Sequence, residues 1–195
     1  MSELTRRFFS RQLKPYYHLI EEFVNFEFIP WGNTKLDGNN FICPKNEDQC
    51  MANRIQSVVL DEYWDHEKGD GTAYDGRMRT VNFLSCVFTH LYWTSNIYTA
   101  SEVCMDEELR YDEYVYIREE AKSQNGSDLY KVMQQKTDEM KNKSGISGDL
   151  ELIPFVTLNE IQSRRTQFDL FQTACDLYKV SQLVINFHSL NYILC

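Results

Sequence analysis

Cysteine is the residue type with the most chemistry to offer here, at Cys43, Cys50, Cys86, Cys104, Cys175 and Cys195. An even number suits a disulfide framework in an oxidising compartment. Six reduced, partly buried thiols in a reducing compartment is the other reading. A zinc site finds little support, because Cys43, Cys50 and His66 have no recognised ligand spacing. His18, His90 and His188 lie in apolar helical or strand-like contexts and read as packing residues. The acidic, glycine-containing stretch from Asp61 to Gly76 lacks the Asp-x-Asp-x-Asp-Gly register and the closing Glu of a calcium loop. It reads as a solvated insertion, and no metal or other cofactor is expected. Asn125-Gly126-Ser127 and Asn142-Lys143-Ser144 are N-glycosylation sequons in polar, loop-like sequence.

Positioning these residues takes a sequence of elements. Leu4 to Phe23 is periodic as an amphipathic helix, with Leu4, Phe8, Phe9, Leu13, Tyr16, Tyr17, Ile20 and Phe23 three and four apart. Ser2 or Thr5 can cap its start, and Pro15 should kink it. Asn25 to Ile29 alternates as a strand does, and Pro30-Trp31-Gly32-Asn33 turns the chain. Lys35 to Gln49 reads as a polar loop. Helices are expected over Asn53–Tyr63, Thr80–Tyr98 and the charged stretch Tyr111–Lys136, followed by a linker from Lys141 to Gly148. Leu152 to Leu158 reads as a buried strand with a proline at its start. Phe168 to Tyr178 reads as a closing helix with Phe168, Phe171, Cys175 and Tyr178 on one face. This order predicts an α/β domain with helices inserted in its middle.

Composition sets outer limits. A chain of 195 residues with 43% apolar residues can bury one core. A formal net charge of −9 argues against a surface that tracks phosphates, so nucleic acid is not an expected partner. No apolar run reaches the roughly 20 residues of a membrane-spanning helix. The opening Met1-Ser2-Glu3-Leu4-Thr5-Arg6-Arg7 has no signal-peptide character.

Five stretches in register resemble the gamma-interferon-inducible lysosomal thiol reductase (GILT) family. Phe28-Ile29-Pro30-Trp31-Gly32-Asn33 is similar to its strand-end V-P-Y-G-N. Phe41-Ile42-Cys43, with six residues to Cys50, matches the spacing of its F-x-C-Q-H-G-x-x-x-C signature. Asn53-Arg54-Ile55-Gln56 resembles the N-x-I-Q that follows. Ile153-Pro154-Phe155-Val156-Thr157-Leu158-Asn159 resembles V-P-W-V-T-V-N-G, and Cys175-Asp176-Leu177-Tyr178 resembles the terminal C-x-L-Y. The resemblance runs from about Thr5 to Tyr178. It implies a thioredoxin-like fold with a helical insertion at about 61–148 inside a domain 1–178, and a tail 179–195. It also implies a lineage of oxidoreductases acting on a sulfur group of donors, which reduce protein disulfides in lysosomal or secretory compartments. In such enzymes a Cys-x-x-Cys at a helix N-terminus supplies a thiolate with a pKa of roughly 3.5–7.5, and the second cysteine resolves the mixed disulfide.

The chain departs from the family where that chemistry lies. The two redox cysteines fall on Ser2 and Thr5, which cannot form a disulfide. Cys43-Pro44-Lys45-Asn46 keeps only the cysteine of its signature, and Glu160 replaces a glycine. Two further family cysteines fall on Val58 and Glu120, a paired loss that leaves the count even. The resemblance implies the pairs Cys43–Cys50, Cys86–Cys104 and Cys175–Cys195. It places Pro154 as a cis proline lining a groove for extended substrate. The family strand before the first helix is missing, which points to a chain shortened at that end.

Three functions remain open. The chain is a catalytically impaired thiol reductase relative that binds unfolded or extended polypeptide. Or it is an active oxidoreductase using Cys43 and Cys50, a pair expected to lack the helix-terminal setting that activates a thiolate. Or it is a non-catalytic secreted disulfide-bonded module.

Overall fold

Helices dominate the computed structural model, which describes residues 3–31, 33–65, 73–150, 156–158 and 161–184. The chain enters through α1 (Glu3–Arg7), a π-helical segment Phe8–Leu13 and α2 (Lys14–Ile20). Pro15 explains the wide turn. It has no N–H to give and its ring crowds the preceding turn, so the helix shifts register just before it. The Lys14 N–H bonds the Phe9 carbonyl five residues back. Phe8, Phe9, Leu13, Tyr17 and Ile20 are all buried, as their spacing requires. His18 is not a packing residue: it lies on the exposed face of α2.

Asn25 to Ile29 runs extended but forms no strand. Its alternation reports sidedness rather than pairing. Phe26 and Phe28 point the same way, with stacked rings 6.2 Å apart, and pack on the core. Glu27, on the other side, pairs with Lys136 at 3.1 Å. The expected loop Lys35–Gln49 instead contains a hairpin of β1 (Lys35–Asp37) and β2 (Asn40–Ile42). Gly38 opens its two-residue turn at φ +59°, a backbone conformation that glycine adopts without strain.

Helix α3 (Glu47–Leu60) starts six residues earlier than its apolar pattern suggests. Asn46 caps it by accepting the Gln49 N–H, and its first turn is polar, so periodicity did not mark it. A π-helical turn Asp61–Asp65 extends it, where a solvated insertion was expected. Tyr63 there is buried. Helix α4 (Ala73–Thr94) carries Val81, Phe83, Leu84 and Val87 into the centre of the core. The break before α5 (Ile97–Glu108) falls inside the single helix expected to reach Tyr98. Ser95 adopts φ 56° and Asn96 caps α5 by accepting from Tyr98 and Thr99.

The charged region divides into α6 (Tyr111–Lys122) and α7 (Gln124–Lys143). Gly126 lets them meet: a Cβ there would stand 2.3 Å from the Glu120 carbonyl oxygen. A second hairpin pairs β3 (Thr157–Leu158) with β4 (Ile161–Gln162), and α8 (Arg164–Phe168) and α9 (Leu170–Val184) follow. Phe168 is exposed, not inward-facing, because it ends α8 rather than joining α9. Phe171 does face inward and stacks on Tyr16, with rings 5.0 Å apart. Helix α9 continues through Val184, past the expected domain end at Tyr178. Among the described residues the strands form two separate antiparallel hairpins beside a mainly helical body, an arrangement consistent with the expected α/β domain and with a helix-rich one. Of the expected strand Leu152–Leu158, residues 156–158 are described, and Thr157–Leu158 are paired in β3.

Candidate functional site

Thr5 is the described member of the two expected redox positions, and Ser2 lies outside the described residues. Thr5 is 1% exposed, inside α1 rather than capping it. Its hydroxyl cannot resolve a mixed disulfide. Beside it Glu3 accepts hydrogen bonds from the Arg6 and Arg7 guanidinium groups. These hold its carboxyl down at about 2. The carboxylate therefore occupies the helix start and neutralises the two cations that would otherwise favour a thiolate there. Pro154 and Glu160 lie outside the described residues.

The first cysteines of the chain meet elsewhere. Cys43 and Cys50 form a disulfide between the end of β2 and the first turn of α3. The sequence reading that this pair lacks a helix terminus is therefore corrected, because α3 begins at Glu47. The terminus is a mixed setting: exposed N–H groups favour a thiolate, while the Glu47 and Asp48 carboxylates oppose it. Cys50 is buried and Cys43 is half-buried.

Hydroxyl groups crowd the Cys43 sulfur. Thr34 Oγ1 lies 3.3 Å from it and the Tyr130 hydroxyl 3.6 Å. Thr34 and Tyr130 share a 2.6 Å hydrogen bond, and Asn53 Nδ2 donates to the Tyr130 oxygen at 2.9 Å. Tyr130 is fully buried against Trp31 and Phe41, with ring centroids 4.5 and 4.7 Å away. Burial pushes its phenol up, so it stays a neutral donor. One residue on from Asn53, Arg54 reaches the Ser127 hydroxyl at 2.9 Å, while its Nε is buried without a hydrogen-bond partner. Burial pulls the Arg54 guanidinium down. Sequence reasoning singled out Asn53 but missed Thr34 and Tyr130, which stand 96 positions apart and follow no local spacing. Thr34 donates its proton to the Trp31 carbonyl at 2.8 Å, so the cluster has one hydroxyl proton, that of Tyr130, to divide between Thr34 and a thiolate formed when the bridge opens.

Cys86 on α4 and Cys104 on α5 form a second disulfide, in the main core. Cys175 is also disulfide-bonded. Cys195, its expected partner, lies outside the described residues, as do His66 and His188. His90 does more than pack: its Nε2 sits 3.3 Å from Glu107 Oε2. Val58 is buried in α3, and Glu120 accepts a hydrogen bond from Asn125 Nδ2. The sequons are on a helix rather than in loops. Asn125 and Asn142 are exposed on α7, and Ser127 of the first is engaged by Arg54. No helix among the described residues is long and apolar enough to cross a membrane.

A sequence model of the family described as gamma interferon inducible lysosomal thiol reductase matches residues 1–108, which include Thr5, the Cys43–Cys50 bridge and the Cys86–Cys104 bridge. A gamma-interferon-inducible lysosomal thiol reductase of Carassius auratus is 24% identical over 183 residues. The alignment covers 89% of this chain and 63% of that relative, so the chain spans less than two thirds of its length. Family match, motif order and the bridged Cys43–Cys50 pair agree: the chain belongs to the GILT family of thiol reductases.

Proposed function

We propose that this chain is a thioredoxin-like GILT protein in which thiol–disulfide exchange at the family position is impaired, and that it binds unfolded or extended polypeptide without reducing it. The observation that carries this reading is Thr5, closed into the core where the family's resolving cysteine falls. A substrate disulfide opened by a first thiolate needs a second thiol to release it, and threonine has none. Pro154 is the residue we assign to the peptide groove, and the lysosomal or secretory route of the family is the compartment we assign. Asn125 and Asn142 are then candidates for glycosylation, since both are exposed.

A second reading has its own observation. Cys50 lies in the first turn of α3, and Cys43 lies within reach of two hydroxyl groups. That pair could exchange with substrate directly. A thiol-dependent insulin-disulfide reduction assay between about pH 4.5 and 7 separates the two, since that window lies within the usual pKa range of an activated thiolate. The first reading expects no turnover above the free thiol, together with binding to reduced, unfolded protein. Turnover abolished by Cys43→Ser overturns it in favour of the second.

A further inference from the structure

Outside that region, four side chains converge between α4 and α5. Cys86 and His90 are one turn apart on α4, and Cys104 and Glu107 are one turn apart on α5. Their sulfur, nitrogen and oxygen atoms all lie within 4.8 Å of one another. His90 Nε2 is 3.3 Å from Glu107 Oε2, and Cys86 Sγ is 3.4 Å from the same oxygen. A bridged sulfur carries no proton, so the second approach is not a hydrogen bond. A surface ion pair explains the first distance, and the second is the separation of an ordinary sulfur–oxygen contact.

Both separations fit a different geometry. Zinc bonds of about 2.0–2.3 Å to N, O and S at tetrahedral angles put ligand atoms roughly 3.3–3.8 Å apart. Two helices already hold His90 and Cys86 at that spacing from Glu107, the remaining ligand atoms lie within 4.8 Å of one another, and the two bridged sulfurs must move apart. We infer that Cys86, His90, Cys104 and Glu107 form a zinc site that reduction of the Cys86–Cys104 disulfide opens. A dithiol supplies two electrons and two protons: its own sulfurs become a disulfide, and Cys86 and Cys104 become thiols. Zinc then binds both as thiolates and releases the two protons to solvent. Two soft sulfurs, one imidazole and one carboxylate make a closed four-ligand set of the structural kind. In the oxidised chain only His90 and Glu107 are effective zinc donors, because a neutral disulfide sulfur binds zinc poorly, and two are too few for tight binding. The α4–α5 junction is thus cross-linked by sulfur in one redox state and by zinc in the other. Nothing in this depends on whether the chain reduces substrate disulfides.

The test uses the whole chain, reduced with a water-soluble phosphine, which becomes a phosphine oxide by taking oxygen from water. After its removal under nitrogen, the protein is titrated with zinc and, separately, with cobalt(II). The expected result is one zinc per reduced chain and none in the oxidised chain, with cobalt(II) showing the visible absorption of a tetrahedral thiolate site. His90→Ala and Glu107→Ala change partly exposed side chains, so helicity by circular dichroism should hold. Each should weaken zinc at least 10–100-fold, the loss that even outer-shell partners cause. Cys43→Ser/Cys50→Ser should leave the binding intact. A reduced chain that takes up no zinc, folded or unfolded, overturns the site. So does affinity that ignores His90→Ala and Glu107→Ala, or that disappears with Cys43→Ser/Cys50→Ser.

Discussion

The Cys43–Cys50 and Cys86–Cys104 bridges span nearly equal Cα distances, 5.6 and 5.7 Å, yet they hold different kinds of structure. Cys86–Cys104 joins two long helices inside the main core, among side chains such as Val87 and Met105 that are already buried. Cys43–Cys50 joins a hairpin to a helix start over a small satellite cluster of Trp31, Tyr130 and Met133. There the supporting contacts are polar: Thr34, Tyr130 and Asn53. The lesson is that one bridge reinforces packing that exists without it, whereas the other helps define a corner with little core of its own.

The comparison breaks most sharply at Tyr130. Tyr130→Ala removes the centre of the satellite cluster and should cost about 3–5 kcal/mol in denaturant unfolding. A loss under 1 kcal/mol would mean that the hairpin corner does not depend on it. Next come the bridges. Replacing both cysteines by alanine should cost about 3 kcal/mol at Cys86–Cys104 and about 2.5 kcal/mol at Cys43–Cys50, because the longer loop regains more chain entropy. Limited proteolysis sharpens the contrast: losing Cys43–Cys50 should expose the hairpin near Gly38 to cleavage while the helices stay protected. Tyr130→Phe keeps the ring and removes only the hydroxyl, leaving Asn53 and Thr34 without it. It should cost about 1–3 kcal/mol.

The smallest effect concerns acid. Glu3 is held at about 2 against an ordinary value of 4.5. Its folded form is the more acidic, so its pairing with Arg6 and Arg7 is fully present above about pH 4.5 and is lost as pH falls toward 2. Side-chain NMR titration should place its midpoint near 2. Exposure to solvent keeps the effect on global stability small, so fraying of α1 is the better readout.

Local patterns were legible where one face of a helix meets the core. Leu13, Tyr17 and Ile20 announced α1 to α2, and Val81 to Val87 announced α4. Three kinds of feature were not. Helix α3 begins with a polar turn set by the Asn46 cap, so apolar spacing placed its start too late and hid the helix-terminal position of Cys50. The hairpin is only three residues long on each side and mostly exposed, so its strands carried no alternation strong enough to see. Asn25–Ile29 alternates because Phe26 and Phe28 face the core, and alternation cannot tell a paired strand from an extended segment. The hydroxyl cluster at Cys43 draws on positions 34, 53 and 130, and His90 meets Glu107 only because Ser95 turns the chain between two helices. Such meetings arise from tertiary packing and leave no local signal.

The proposed loss of the redox pair at Ser2 and Thr5 is tested most directly by restoring it. Ser2→Cys/Thr5→Cys places both sulfurs at the family spacing, and cysteine is no larger than the buried threonine it replaces. In the thiol-dependent insulin assay, the unsubstituted chain should stay at the background of the free thiol, and the double variant should turn over above it. Turnover by the unsubstituted chain, unchanged by the double substitution and abolished by Cys43→Ser, would contradict the account.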